Sequence, residues 1–229
     1  MVTTTLGERV EQPSMSLSVI SRVFDWLVMR QQRRTACRRC SCMLLRHDEP
    51  MPEQRTSPTA QPRFPVDGYP LPVRLPDRDV VLWWGPDEYG TDVVAVEGGR
   101  PLVWATVEAC LTDVRARGLS RVGDEDDTEP EVMDVRPVAA WLRDEQLSLD
   151  PVAALGLWNL AGDIAESVDA PWGDEGRTAD RCHAKLTAAN IPWLVGAEQY
   201  TPRWTPFELR LLRRRLLAAA ALLRIWLTT

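Results

Sequence analysis

The sequence predicts an α+β fold: a small antiparallel sheet of about three strands packed by four to five helices, with a disordered N-terminal tail. Three observations lead there. β-Branched and aromatic runs are confined to residues 80–105, capped amphipathic segments follow them to the C-terminus, and residues 1–66 carry neither pattern. Strands first and helices afterwards argue for helices gathered on one face of the sheet. A chain of 229 residues that is 45% hydrophobic can bury a core without disulfides or metals.

Residues 1–66 read as a low-order tail and Pro-rich linker, and 67–229 as a single α+β domain. Leu17 to Met29 could form a short amphipathic helix, but a basic run follows it. From Pro50 to Pro76 prolines recur every few residues, a pattern expected to exclude helix and central strand. An alternative is that residues 1–50 stem from a mis-assigned start, with Met51 as the true one. Cys37, Cys40, Cys42 and His47 lie within this tail, at a spacing that matches no structural zinc site.

Val80–Trp84 and Asp92–Val96 are the first two expected strands, joined by a Gly-Pro-Asp turn region. Glu97-Gly98-Gly99-Arg100 then reverses the chain into Pro101–Ala105. Thr106 should cap a helix with Val107, Cys110, Leu111 and Val114 on its apolar face, ended by Gly118. Pro137 opens a short helix through Trp141 and Leu142. Asp150-Pro151 starts a second helix to Val168, and a third runs from about 178 to 189. Thr205-Pro206-Phe207-Glu208 is a capping box that opens the last helix.

Charge is strongly segregated along the chain. Residues 1–76 carry +4, residues 77–175 carry −16 and residues 176–229 carry +6, within a formal total of −6. An acidic total argues against a dedicated nucleic-acid binder. No run of roughly 18 uninterrupted apolar residues suits a membrane span, and no secretory signal is evident, so a cytoplasmic protein is expected. Five cysteines in this pattern do not resemble an extracellular disulfide framework, and Cys110 and Cys182 read as small core residues. Arginine outnumbers lysine 26 to one among the 27 basic residues, which suggests a GC-rich bacterial source.

No catalytic residue, metal or cofactor is predicted. The two histidines lack a recognisable nucleophile, and no phosphate loop, dinucleotide fingerprint, nucleophile elbow or zinc helix is present. Two stretches stand out as binding candidates instead. Asp124, Glu125, Asp126, Asp127, Glu129 and Glu131 form an acidic tract that should stay solvated and could attract a basic partner. On the helix after Asp150, Asn159, Asp163 and Glu166 share one stripe flanked by Gly156 and Gly162, either a solvent edge or a polar contact strip.

Ten tryptophans against three Phe and three Tyr make indole the main aromatic of the core, with each N–H expected to find a partner. Trp83 and Trp84 point to opposite faces of their strand. If one face is wet, only one of them is core, and Trp84 is the interface candidate. In the last helix Arg210, Arg214 and Arg224 can share one face, opposite Leu209, Leu212, Leu216 and Leu223.

Residues 157–229 resemble a scattered group of small uncharacterised bacterial proteins. The likeness lies in Trp158, Asn159, Asp163, Lys185, Leu186, Asn190, Pro192, Tyr200, Pro202 and Trp204. Some of that group look like immunity proteins, which implies a non-catalytic protein-binding domain that inhibits a basic toxin. Two alternatives stay open: a Trp-lined ligand or enzyme pocket using Asn159 and Asp163, and a regulatory subunit that meets nucleic acid through the C-terminal arginines.

Overall fold

A computed structural model describes residues 63–121, 130–144, 146–173 and 175–227. All of them belong to one compact unit, Arg55–Thr229. The cysteine cluster with His47, the expected 17–29 helix and most of the acidic tract lie outside the described residues.

The architecture is α+β. Strands β1 (Asp67–Arg74), β2 (Asp79–Pro86) and β3 (Asp92–Val94) pair antiparallel in the order β3-β2-β1. A short hairpin, β4 (Val96–Glu97) with β5 (Arg100–Pro101), turns through the positive-φ glycines Gly98 and Gly99. The expected third strand therefore pairs only in pieces, through β5 and a single Trp104–Val81 bridge. The helices are α1 (Val107–Ala116), α2 (Arg136–Arg143), α3 (Pro151–Ser167), α4 (Arg177–Asn190) and α5 (Pro206–Trp226). Two short strands, β6 (Ser120–Arg121) and β7 (Met133–Asp134), run parallel to β1, so the sheet is mixed.

The helix ends follow their local chemistry. Thr106 Oγ1 accepts from Ala109 N, Asp150 Oδ1 accepts from Val152 N and Ala153 N, and Thr205 with Glu208 completes the capping box. Gly118, at φ +69°, follows α1 in the left-handed region that a glycine adopts without strain.

β1 corrects the expectation that the Pro-rich stretch cannot hold a central strand. It pairs with β2 from Tyr69 to Arg74 despite Pro70 and Pro72. Both prolines sit at alternate positions, so their missing N–H groups face the edge away from β2. Among the described residues that edge is paired only at Asp67–Gly68, by β6, and at Val73–Arg74, by β7. The prolines occupy the gap between them, where no ladder donor is required. Arg63, assigned to the linker by its composition, also joins the fold by bridging Val96.

A second correction concerns the faces of the sheet. Val80 and Leu82 join Leu71, Val73 and Val94 in the large core with α2 to α5. Val81 and Trp83 point the other way, into a smaller core closed by Cys110 and Val114 of α1. Helices therefore cover both faces, and β2 has no wet side. Strand alternation alone cannot reveal this, because it is blind to what covers each face. The indoles also depart from expectation. Trp84 and Trp104 donate to Asp163 and Asp113, but the buried N–H groups of Trp83 and Trp158 meet no acceptor among the described residues.

Candidate functional site

The acidic tract is held by its ends. β6 precedes it and pairs with β1 at Asp67 and Gly68, while β7 follows it and pairs with β1 at Val73 and Arg74. Both anchors lie on one edge of one strand. Asp124, Glu125, Asp126, Asp127 and Glu129 lie outside the described residues, whereas Glu131 is exposed and Val132 beside it is exposed as well. Asp134, just past the tract, is engaged locally: a hydrogen-bonded ion pair with Arg136 holds its carboxyl below the usual range against the opposing effect of partial burial.

The α3 stripe does not behave as one edge. Asn159 is 6% exposed and Asp163 5%, while Glu166 stands in solvent. Thirteen of the helix's seventeen residues are buried, which makes α3 the central helix of the domain. Asp163 Oδ2 accepts from Trp84 Nε1 at 3.1 Å, so the indole proposed for an interface is half-buried and tied to the helix. Tyr69 packs edge-on against it, with centroids 5.0 Å apart. Asn159 Oδ1 lies 3.0 Å from His183 Nε2 on α4, and the same imidazole stacks edge-on with Trp158. Ser167 Oγ donates to Asp163 O and accepts from Val94 N, fastening α3 to β3. Gly156 faces the Met133 side chain at ordinary contact distance, so its small size serves packing within the chain.

Glu166 remains at the surface. Arg63 reaches its backbone oxygen at 2.9 Å and approaches its carboxylate at 3.7 Å, while also pairing with Asp87. The three residues of the stripe thus separate into two buried tie points and one exposed carboxylate.

One polar cluster was not legible as such. Glu208, 2% exposed, accepts from Lys185 Nζ on each carboxylate oxygen at 2.9 Å and from Thr205 N at 2.8 Å, with Arg181 Nε at 3.2 Å. Burial pushes its carboxyl up, but the Thr205 amide and Lys185 outweigh that and hold it below the usual glutamate range. Lys185 also donates to Arg203 O and lies 5.4 Å from the Trp204 ring. The available signal was the i, i+4 pair Arg181 and Lys185, combined with a capping-box glutamate that needed a cation. Asn190 in turn ties α4 to the start of α3 through Pro151 O. Asn159, Lys185 and Asn190 therefore act in holding α3, α4 and α5 together.

The thiols are equally enclosed. Burial pushes Cys110 up to about 12 and Cys182 up to about 11, each helped by a nearby carboxylate. Among the described residues, no group of three or more His, Cys, Asp or Glu is arranged to hold a metal ion, and no helix is long and apolar enough to cross a membrane.

A concavity among the described residues lies elsewhere, between the α2–α3 turn and the first turns of α5. It is lined by tryptophan, as the pocket alternative expected, but by Trp141 and Trp204; Asn159 and Asp163 take no part in it. No family model matches the chain, and no curated protein or solved structure gives a significant match.

Proposed function

We propose that this protein is a non-catalytic protein-binding domain whose acidic tract at 124–131 meets a basic partner. The observation that carries the reading is the anchoring of the tract: six acids without an intervening base, held between two strands fixed on the same edge of β1. A charged loop on a rigid base can steer a partner and fix its register. The engagement of Asp163, Asn159, His183 and Glu208 in contacts between elements supports a structural use of those groups. The finer form of the proposal is an immunity-type inhibitor working in a bacterial cytoplasm, which occludes a toxin such as a cationic nuclease.

The test uses a panel of catalytically inactivated cationic nuclease domains, with association followed by stopped-flow fluorescence. At least one should bind the wild-type protein at a rate that falls steeply with salt. Replacing Asp124, Glu125, Asp126, Asp127 and Glu129 by their amides should slow that association by about 10- to 100-fold at low ionic strength. The difference should close at high salt, with thermal stability unchanged. An unchanged rate in the amide variant rejects the reading.

A further inference from the structure

The cleft beside α5 has an electrostatic character opposite to the acidic tract. Its volume is about 580 Å³, within the usual range for small-molecule sites. Trp141, Tyr200 and Trp204 line it together with the apolar Leu149, Pro151 and Leu209. Among the described residues its charged lining is Arg210 and Arg213, with no carboxylate.

These walls are fixed by contacts within the chain. Arg213 Nη2 donates to Leu142 O at 2.6 Å, and its guanidinium lies 6.0 Å from the Trp141 ring. The Trp204 ring is engaged by Lys185 Nζ, itself held on Glu208. Arg210 projects from the exposed side of α5, with its guanidinium 5.9 Å from the Phe207 ring. No described carboxylate forms an ion pair with Arg210, whereas the half-buried cations Lys185 and Arg63 are both paired.

We propose that this cleft binds a small organic carboxylate with an aromatic body. Indole and phenol walls stack on a planar apolar ligand. Guanidinium groups recognise a carboxylate by charge-assisted, often bidentate hydrogen bonds. A cationic ligand is repelled by Arg210, and a neutral one offers that guanidinium no anion. The basic partner proposed for the acidic tract has the wrong sign for this cleft, so the two sites are independent.

Isothermal titration calorimetry with three probes of matched shape tests the assignment: 2-naphthylacetate, 2-(2-naphthyl)ethanol and 2-(2-naphthyl)ethylamine. The carboxylate should bind about tenfold or more tighter than the alcohol, and the amine weakest of all. Arg210→Gln, at an exposed position, should bring the carboxylate to the affinity of the alcohol while leaving the alcohol unchanged. Leu147→Glu on the exposed lip should weaken the carboxylate about tenfold or more through like-charge repulsion, and the alcohol less. Both variants should melt with the wild type. The proposal falls if 2-naphthylacetate shows no binding at millimolar concentration, if the three probes bind alike, or if Arg210→Gln leaves the carboxylate preference intact. The amide variant of the acidic tract should bind 2-naphthylacetate as the wild type does, which separates failure of one site from failure of the other.

Discussion

Lys185→Met would leave the Glu208 carboxylate buried with only part of its compensation. In the native fold that carboxylate receives Lys185 Nζ at 2.9 Å on each oxygen, and Thr205 N and Arg181 Nε supply the rest. Removing one partner of a buried pair typically costs about 3–5 kcal/mol. Here Arg181 and the Thr205 amide stay, and Lys185 is 23% exposed, which places the loss nearer about 2–3 kcal/mol. For a domain of this size that is a drop in Tm of roughly 4–12 °C. Glu208→Gln keeps a capping acceptor and removes the buried charge, so the double variant Lys185→Met/Glu208→Gln should be no less stable than Lys185→Met alone. Because Glu208 titrates below the usual glutamate value in the folded state, its contribution is present above that value and lost as pH falls through the folded pKa. Urea unfolding followed by tryptophan fluorescence at pH 7 and pH 3.5 reads all three quantities. A Lys185→Met cost under about 0.5 kcal/mol, or a double variant that loses the sum of the two singles, would refute the buried-pair account.

Two further predictions concern the packing. Gly68→Ala would place a methyl 2.2 Å from Trp83 Nε1, an indole with no exposed surface, and should cost about 2 kcal/mol or more in urea unfolding. A neutral outcome would mean that the β1–β2 pair yields at that point. In a protein carrying Cys37→Ser, Cys40→Ser and Cys42→Ser, the remaining Cys110 and Cys182 should ignore Ellman's reagent at pH 8 and react fully in urea. Rapid labelling of the native protein would show that one of the two helices opens readily.

Much of the fold could be read from short stretches of chain. The starts of α1, α3 and α5 follow Thr106, Asp150 and Thr205, because a cap is a hydrogen bond spanning two or three residues. The burial of Leu212, Leu216 and Leu223 opposite the exposed Arg210, Arg214 and Arg224 follows from helical period alone. The candidate site was less legible. Asn159 and Asp163 were recognised as unusual polar positions on an apolar helix, but their partners His183 and Trp84 come from another helix and from the sheet.

The sequence by itself determined the α+β class, the helix starts, the apolar faces and the acidic tract, all of which arise from propensities and periods within a few turns. Only the tertiary structure decided that a strand with two prolines sits inside the sheet, since that depends on which stretch of its edge lacks a partner. It also decided that both faces of β2 are covered and that Asp163 is enclosed by an indole 79 residues away. The physical reason is the same in each case: burial and hydrogen-bond demand are set by what the chain brings alongside a residue from far away, and local pattern carries no record of that neighbour.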